Sequence, residues 1–188
     1  MALEATDTVG ADTESAQPDG ASARTNRELD CLVAVQDAIA KPVTVKAARG
    51  LSHFGEHSIG WFAAGVLGAA VDKGRRGKWL AAAAGVVGAH GASIGVKRVV
   101  RRPRPMDSRV AVHVATPSRL SFPSSHATST TAAAVLFSGL TGRNLVPALV
   151  PPMLASRLVL GVHYPTDVLA GAALGGACGT ALRRFLKD

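Results

Sequence analysis

Aromatic residues are scarce in this 188-residue chain: one Tyr, two Trp and five Phe, 4% of the whole. Proteins that hold nucleic acid by stacking interleave aromatics with bases along a face. That pattern is missing here, so nucleic acid is not an expected partner despite a formal net charge of +8. Cysteine is equally sparse. Cys31 and Cys178 are too few and too far apart for a disulfide scaffold, and are expected to be inert apolar positions. Charged residues make up 18% of the chain, against about 25% in an average globular domain. Little charge, 47% apolar residues and 20 Gly do not describe a disordered chain. Two classes remain for a single domain of this length: a soluble fold with a plain core, or a small helical membrane protein.

Acidic residues are also missing from most of the chain. Residues 1–30 carry seven acids against Arg24 and Arg27, a net of −5, and the other 158 carry 19 bases and six acids, a net of +13. Residues 1–24 have no apolar periodicity and are expected to form a disordered acidic tail ahead of a domain over 25–188. They lack the basic start and apolar core of a secretory signal. Thr25 with Glu28 three residues on reads as a capping box. Leu29, Leu32, Val33, Gln36, Ile39, Ala40 and Val43 then recur at helical spacing. The result is an amphipathic helix kinked at Pro42, either lying in a membrane interface or packed on the domain.

Five apolar stretches free of charge follow: A (57–71), B (79–96), C (124–142), D (144–156, continuing past Arg157 to 162) and E (168–182). Each is short of the about 20 residues that cross a bilayer unaided, but flanking residues and a thinned bilayer make up the difference. Gly171, Gly175 and Gly179 in E, and Gly91 and Gly95 in B, have the spacing at which helices approach closely in lipid. The expected fold is all-α: an integral membrane bundle of about five spanning helices plus the N-terminal amphipathic helix. No feature of the sequence sets an oligomeric state.

Three polar clusters sit at the ends of these stretches. Lys97 to Pro105 follows B, Ser121 to His126 precedes C, and Ser156-Arg157 with His163 to Asp167 joins D to E. If A to E each cross once, the end of B, the start of C, the end of D and the start of E share one membrane face. All three clusters then meet. The segment 97–123 is long for a connection in a compact domain, and such loops are usually functional.

Lys97, Arg104 and Arg157 supply three cations to one anion, the arginines as planar forks and the lysine as a point charge. Pro123 favours a helix start, so the amides of Ser124 and Ser125 are expected to point out of a helix N-terminus toward that anion. His126 lies in the same turn. Asp167, four residues after His163, is placed to accept one imidazole N–H and free the other nitrogen. Such a set suits phosphoryl transfer without a metal, because a metal site wants more carboxylates or Cys at ligand spacing. His90, mid-stretch in B, is expected to be packed or to hydrogen-bond between helices. His53, His57 and His113 carry no motif. Arg98, Arg101, Arg102, Arg109 and Arg119 read as ordinary solvated charge.

Lys97-x6-Arg104-Pro105, Pro123-Ser124-Ser125-His126 and Ser156-Arg157-x5-His163-x3-Asp167 resemble, in order, the three signature motifs of the type 2 phosphatidic acid phosphatase superfamily. The second motif more often reads Pro-Ser-Gly-His, so Ser125 departs from it. The resemblance implies a membrane phosphatase in which His163 is the nucleophile, Asp167 orients it and His126 protonates the leaving oxygen. Lys97, Arg104 and Arg157 would hold the phosphoryl oxygens, with Ser124 and Ser125 completing the cradle and no cofactor. The run Ser121 to Thr131 and the Ala/Gly-rich helices are similar to bacterial polyprenyl-linked members, above all the decaprenylphosphoryl-5-phosphoribose phosphatase group of arabinan precursor synthesis. The expected substrate is therefore a lipid phosphate, with undecaprenyl diphosphate, phosphatidic acid and phosphatidylglycerol phosphate as alternatives. The superfamily also places the site on the extracytoplasmic side of a bacterial plasma membrane. Its vanadium haloperoxidases, and a non-catalytic lipid-phosphate binder, are alternatives of other classes.

Overall fold

Residues 20–186 are described in the computed structural model, and their regular structure is helical. Seven α-helices follow one another: α1 (Gly20–Ile39), α2 (Pro42–Gly55), α3 (Ile59–Val71), α4 (Arg76–Val100), α5 (Ser125–Thr141), α6 (Val146–Val159) and α7 (Pro165–Phe185). Short 3₁₀ turns at Glu56–Ser58 and Lys73–Arg75 precede α3 and α4. Stretches A to E are α3 to α7. The expected all-α architecture is therefore observed.

The N-terminal reading needs correction. Helix α1 starts at Gly20, ahead of Thr25, so Thr25 lies inside the helix and is not its cap. Residues 1–19 of the expected tail lie outside the described residues. At Pro42 the helix does not bend but ends: α1 stops at Ile39, and Pro42 opens α2, where its missing N–H is harmless. The inner face of α1 is covered by protein, with Leu29 and Leu32 buried against Val110 and Tyr164. Gln36 is buried but satisfied: its amide donates to the Ala111 and Val159 carbonyls and accepts from the Ala111 N–H.

The largest core cluster joins α3, α4 and α5 through Trp61, Ala82, Val86, Ala133, Leu136 and Phe137. A second joins α2 to α6 through Val45, Ala48, Val159 and Leu160. Close approach is decided on α7. A Cβ on Gly175 would collide with the backbone of Thr128, and one on Gly179 would lie 3.0 Å from the Val135 Cβ. The glycine face of α7 is therefore the seam with α5, as the spacing predicts. Gly91 and Gly95 differ: nothing lies within 4 Å of a Cβ at either, so this pair on α4 is not a helix–helix seam.

Among the described residues, one helix is long and apolar enough to cross a membrane by itself, the 28-residue run Lys73–Val100, which contains an 18-residue window of mean hydropathy 1.4. Only 28% of its apolar window is covered by the rest of the chain. Helix α6 is apolar but shorter. Large apolar side chains also face outward from α3 and α7, including Ile59, Leu67, Val71, Leu169 and Phe185.

Candidate active site

One end of the helix bundle encloses a cavity of about 640 Å³. Lys97 reaches it from the last turns of α4 and Arg104 from the long connection after that helix. Ser125 and His126 enter from the first turn of α5, Arg157 from the end of α6, and His163 from the α6–α7 turn. The three polar clusters thus meet, as alternating helix direction requires.

Two expected residues do not line the cavity. Asp167 is wholly buried behind His163. Ser124 is also wholly buried. Its hydroxyl caps α5 by accepting from the Ala127 N–H, and its own N–H donates to the Asp167 carbonyl at 2.9 Å. The expected pair of outward amides is therefore not formed, since the Ser124 N–H ties α5 to α7. Ser125 stays at the cavity, its hydroxyl accepting from Ser93 at 2.8 Å.

The three cations are held without a counter-charge. Lys97 Nζ donates to the carbonyls of Leu120 (3.2 Å) and Ser121 (3.1 Å). Arg104 donates from Nε to the Ser118 carbonyl at 2.8 Å and from Nη1 to the Val162 carbonyl at 2.6 Å. Arg157, 2% exposed, donates from Nη1 to the Ser52 hydroxyl at 2.8 Å, while its Nε has no partner among the described residues. None of the three forms an ion pair there. Burial pushes the Arg104 guanidinium down to about 10, with Asp167 opposing the shift, so it stays charged at neutral pH. Burying an unpaired charge costs several kcal/mol (about that per ion), and three together make a cradle preorganised for a multiply charged anion.

His163 faces this cradle. Its Nε2 lies 3.3 Å from Arg104 Nη1. A guanidinium carries only donors, so Nε2 is the accepting nitrogen and the ring proton sits on Nδ1. Burial, and then Arg104, Arg157 and Lys97, hold this imidazole well below its ordinary value of 6.5. Nδ1 lies 3.5 Å from Asp167 Oδ2 but makes no hydrogen bond among the described residues, so the expected His163–Asp167 hydrogen bond is not formed. The Asp167 oxygens are engaged elsewhere: Oδ2 accepts the Tyr164 N–H at 2.9 Å and Oδ1 accepts from Arg102 at 3.0 Å. His126 is held from α2. Its Nε2 lies 3.0 Å from the Ser52 carbonyl, which only accepts, so Nε2 carries a proton.

Several residues were not legible as functional. Ser52 contacts both His126 and Arg157. Arg102 is not ordinary solvated charge. It donates to Asp167 and to the Thr166 hydroxyl, pairs with Glu28 of α1, and lies 3.9 Å over the Tyr164 ring. Arg109 pairs with Asp107 and Asp30 at an exposed position, and Arg98 reaches the cavity wall. His90 and His57 also line the cavity, with ring centroids 6.2 Å apart. The His90 Nδ1 is buried and makes no hydrogen bond among the described residues, which leaves the packed alternative of the two expected for it. Cys31 is exposed, so it is not the apolar position expected. The signal for Ser52 and His57 was available in the alternation itself, which brings the start of stretch A to the same end as the three clusters.

The chain is similar to known proteins in sequence and fold. The model of the PAP2 superfamily matches residues 77–188. A decaprenylphosphoryl-5-phosphoribose phosphatase of Mycolicibacterium smegmatis is 60% identical over 141 residues, 74% of this chain and 78% of that protein. A protein of the same name from Mycobacterium tuberculosis is 54% identical over 153 residues, 81% of this chain and 86% of its own length. Among solved structures, a transmembrane PAP2-type phosphatidylglycerolphosphate phosphatase from Bacillus subtilis superposes with a TM-score of 0.69 at 22% identity. That match covers 88% of this chain and 89% of the other. Every motif residue from Lys97 to Asp167 falls within the matched region, and the chain belongs to the PAP2 superfamily.

Proposed function

We propose that the chain is a membrane phosphatase that removes the 5-phosphate from decaprenylphosphoryl-5-phosphoribose, leaving decaprenylphosphoryl-ribose and inorganic phosphate. The observation that carries the phosphatase reading is the trio of buried Lys97, half-buried Arg104 and buried Arg157, unpaired with any carboxylate among the described residues and gathered around a neutral His163. The substrate follows the names of relatives at 54% and 60% identity. The uncovered apolar faces of α3, α4 and α7 support a bundle set in the bilayer, which keeps the lipid tail in hydrocarbon while the headgroup reaches the cations.

In this mechanism the His163 Nε2 lone pair attacks phosphorus and forms an N–P bond as the bond to the ribose oxygen breaks. Lys97, Arg104, Arg157 and the first-turn amide of Ser125 stabilise the charge on the three phosphoryl oxygens. Asp167 stabilises the Nδ1–H of the charged ring. The 3.5 Å gap between Nδ1 and Asp167 Oδ2 closes to a hydrogen bond as charge develops on the imidazole. His126, entering this step as the imidazolium, gives its Nδ1 proton to the departing oxygen while Nε2–H stays on the Ser52 carbonyl. Water then attacks phosphorus, His126 takes its proton, the N–P bond breaks and phosphate leaves. The proposed chemistry assigns charge neutralisation to side chains and uses no metal.

Phosphate release by the detergent-purified chain tests this reading, with decaprenylphosphoryl-5-phosphoribose, undecaprenyl diphosphate, phosphatidic acid and phosphatidylglycerol phosphate compared in EDTA. The ribosyl lipid should be hydrolysed with the highest kcat/KM. Vanadate should inhibit, and His163→Asn should lose both turnover and the acid-labile phosphoprotein. Full activity in His163→Asn would overturn the mechanism, and loss of wild-type activity in EDTA would overturn its metal-free form.

A further inference from the structure

The cavity is much larger than a phosphate, and its walls differ in chemistry. The position of His126 decides which wall meets the leaving group. In an in-line displacement the departing oxygen lies opposite the attacking nitrogen. With His163 attacking, the alcohol leaves on the side of His126. That side is built by the end of α2. A Cβ on Gly55 would lie 2.8 Å from the His126 ring and 3.2 Å from the Met153 methyl, so the backbone is pressed against the imidazole.

Directly after Gly55 the chain turns with two non-glycine residues in the left-handed region, His57 at φ 48° and Ser58 at φ 59°. Such residues persist only where the surroundings hold them, and they cluster at functional sites. Here Ser58 is wholly buried, and the turn sets Glu56 and His57 into the cavity wall. His90 of α4 completes this wall, with its Nδ1 buried and unpartnered. A carboxylate accepts hydrogen bonds, and a neutral imidazole both donates and accepts. The wall therefore suits a neutral group rich in hydroxyls. The Glu56 carboxylate disfavours a second phosphate at the same place.

We propose that Glu56, His57 and His90 form a hydroxyl-binding subsite for the sugar ring that carries the scissile phosphate, and so select sugar phosphates over plain alkyl phosphates. The inference rests on the assignment of His126 to the leaving-group side made above. It names the residues that select the substrate within that site.

The test uses the full chain in detergent and two soluble five-carbon primary phosphates, ribose 5-phosphate and n-pentyl phosphate. The unaltered chain should favour ribose 5-phosphate at least tenfold in kcat/KM. Glu56→Gln, and the pair His57→Gly with His90→Leu, should each lower that ratio at least fivefold. Glycine suits the left-handed backbone at position 57, and Glu56→Gln is nearly isosteric, so one variant keeps the fold if the other does not. No preference in the unaltered chain, or an equal fall on both substrates, would overturn the proposal. Phosphate release from decaprenylphosphoryl-5-phosphoribose is measured alongside. Its absence would count against the proposed lipid, while the soluble ratio still decides the subsite.

Discussion

The reactivity of His163 is set by its surroundings more than by its own chemistry. Burial and three neighbouring cations keep the ring neutral, so Nε2, the proposed nucleophile, carries its lone pair well into the acid range. Rate rises with pH as imidazolium is lost, and the pKa of His163 lies below the ordinary 6.5. The acid limb of kcat/KM assigned to His163 should therefore fall well below pH 6.5, as a pH–rate profile would show. A limb at the ordinary value would mean a solvated ring. Arg102 belongs to the same machinery at one remove, because it holds Asp167 and is itself held by Glu28 and Tyr164. Hydrogen bonds to charged groups contribute about 1.5–3 kcal/mol. Arg102→Gln should thus lower kcat by about 10- to 100-fold with KM little changed, and Arg102→Lys should recover part of the loss. A change in KM alone would place Arg102 on the substrate. The roles proposed for His126, His163 and the three cations come from residue types at motif spacing, and the structure brings those residues to one cavity. Arg102 was not, since a run of four arginines at 98, 101, 102 and 104 carries no mark of which one turns inward.

At the scale of elements, the spacing of small residues gives the right answer on one helix and the wrong one on another. Gly171, Gly175 and Gly179 repeat every fourth residue on α7 and meet α5 along their length. Gly91 and Gly95 repeat at the same interval on α4 and meet nothing. Spacing shows that a face is narrow, and the neighbours decide whether that face is used. Gly175→Val should lower detergent thermal stability by about 1–3 kcal/mol or more, because the new side chain overlaps backbone that cannot rotate away. Gly91→Ala should be neutral or slightly stabilising, through reduced freedom of the unfolded chain. Equal effects in a thermal melt would mean that the α5–α7 seam is looser than described. The start of α1 was misread for a related reason. Thr25 and Glu28 satisfy a capping pattern, but Glu28 serves a tertiary partnership with Arg102 and Thr166.

For the whole molecule, charge is distributed by end. The cavity end holds Lys97, Arg104 and Arg157, the cations of the proposed cradle. The other end gathers the Lys73–Arg75 turn, where Arg75 donates to the Leu140 carbonyl, and the last turn of α7, where Arg183 lies beside Gly139. Short loops rich in Lys and Arg favour the cytoplasm, but the cavity end also carries Arg98, Arg101, Arg102, Arg109 and Arg119 and the count is nearly balanced, so the proposal that a bilayer-embedded chain opens its cavity away from the cytoplasm rests on the superfamily resemblance. Position 77 is exposed and nothing crowds a Cβ there. Gly77→Cys, in a chain with Cys31→Ser and Cys178→Ala, should resist a membrane-impermeant thiol reagent in intact cells and react after permeabilisation. Labelling of intact cells would reverse the orientation.

Scarcity of charge and aromatics, the apolar stretches and the three motifs determined the helical class and the family and singled out the residues proposed for catalysis, because periodicity and motif spacing are properties of a local chain. The tertiary structure decided the rest. It moved the Ser124 amide from the cradle to the α5–α7 seam and turned Arg102 toward Asp167. It also brought the end of α2, which carries no motif, against His126. These are contacts between segments far apart in sequence, and the partner a polar group finds depends on which backbones the helix packing brings within about 3 Å of it.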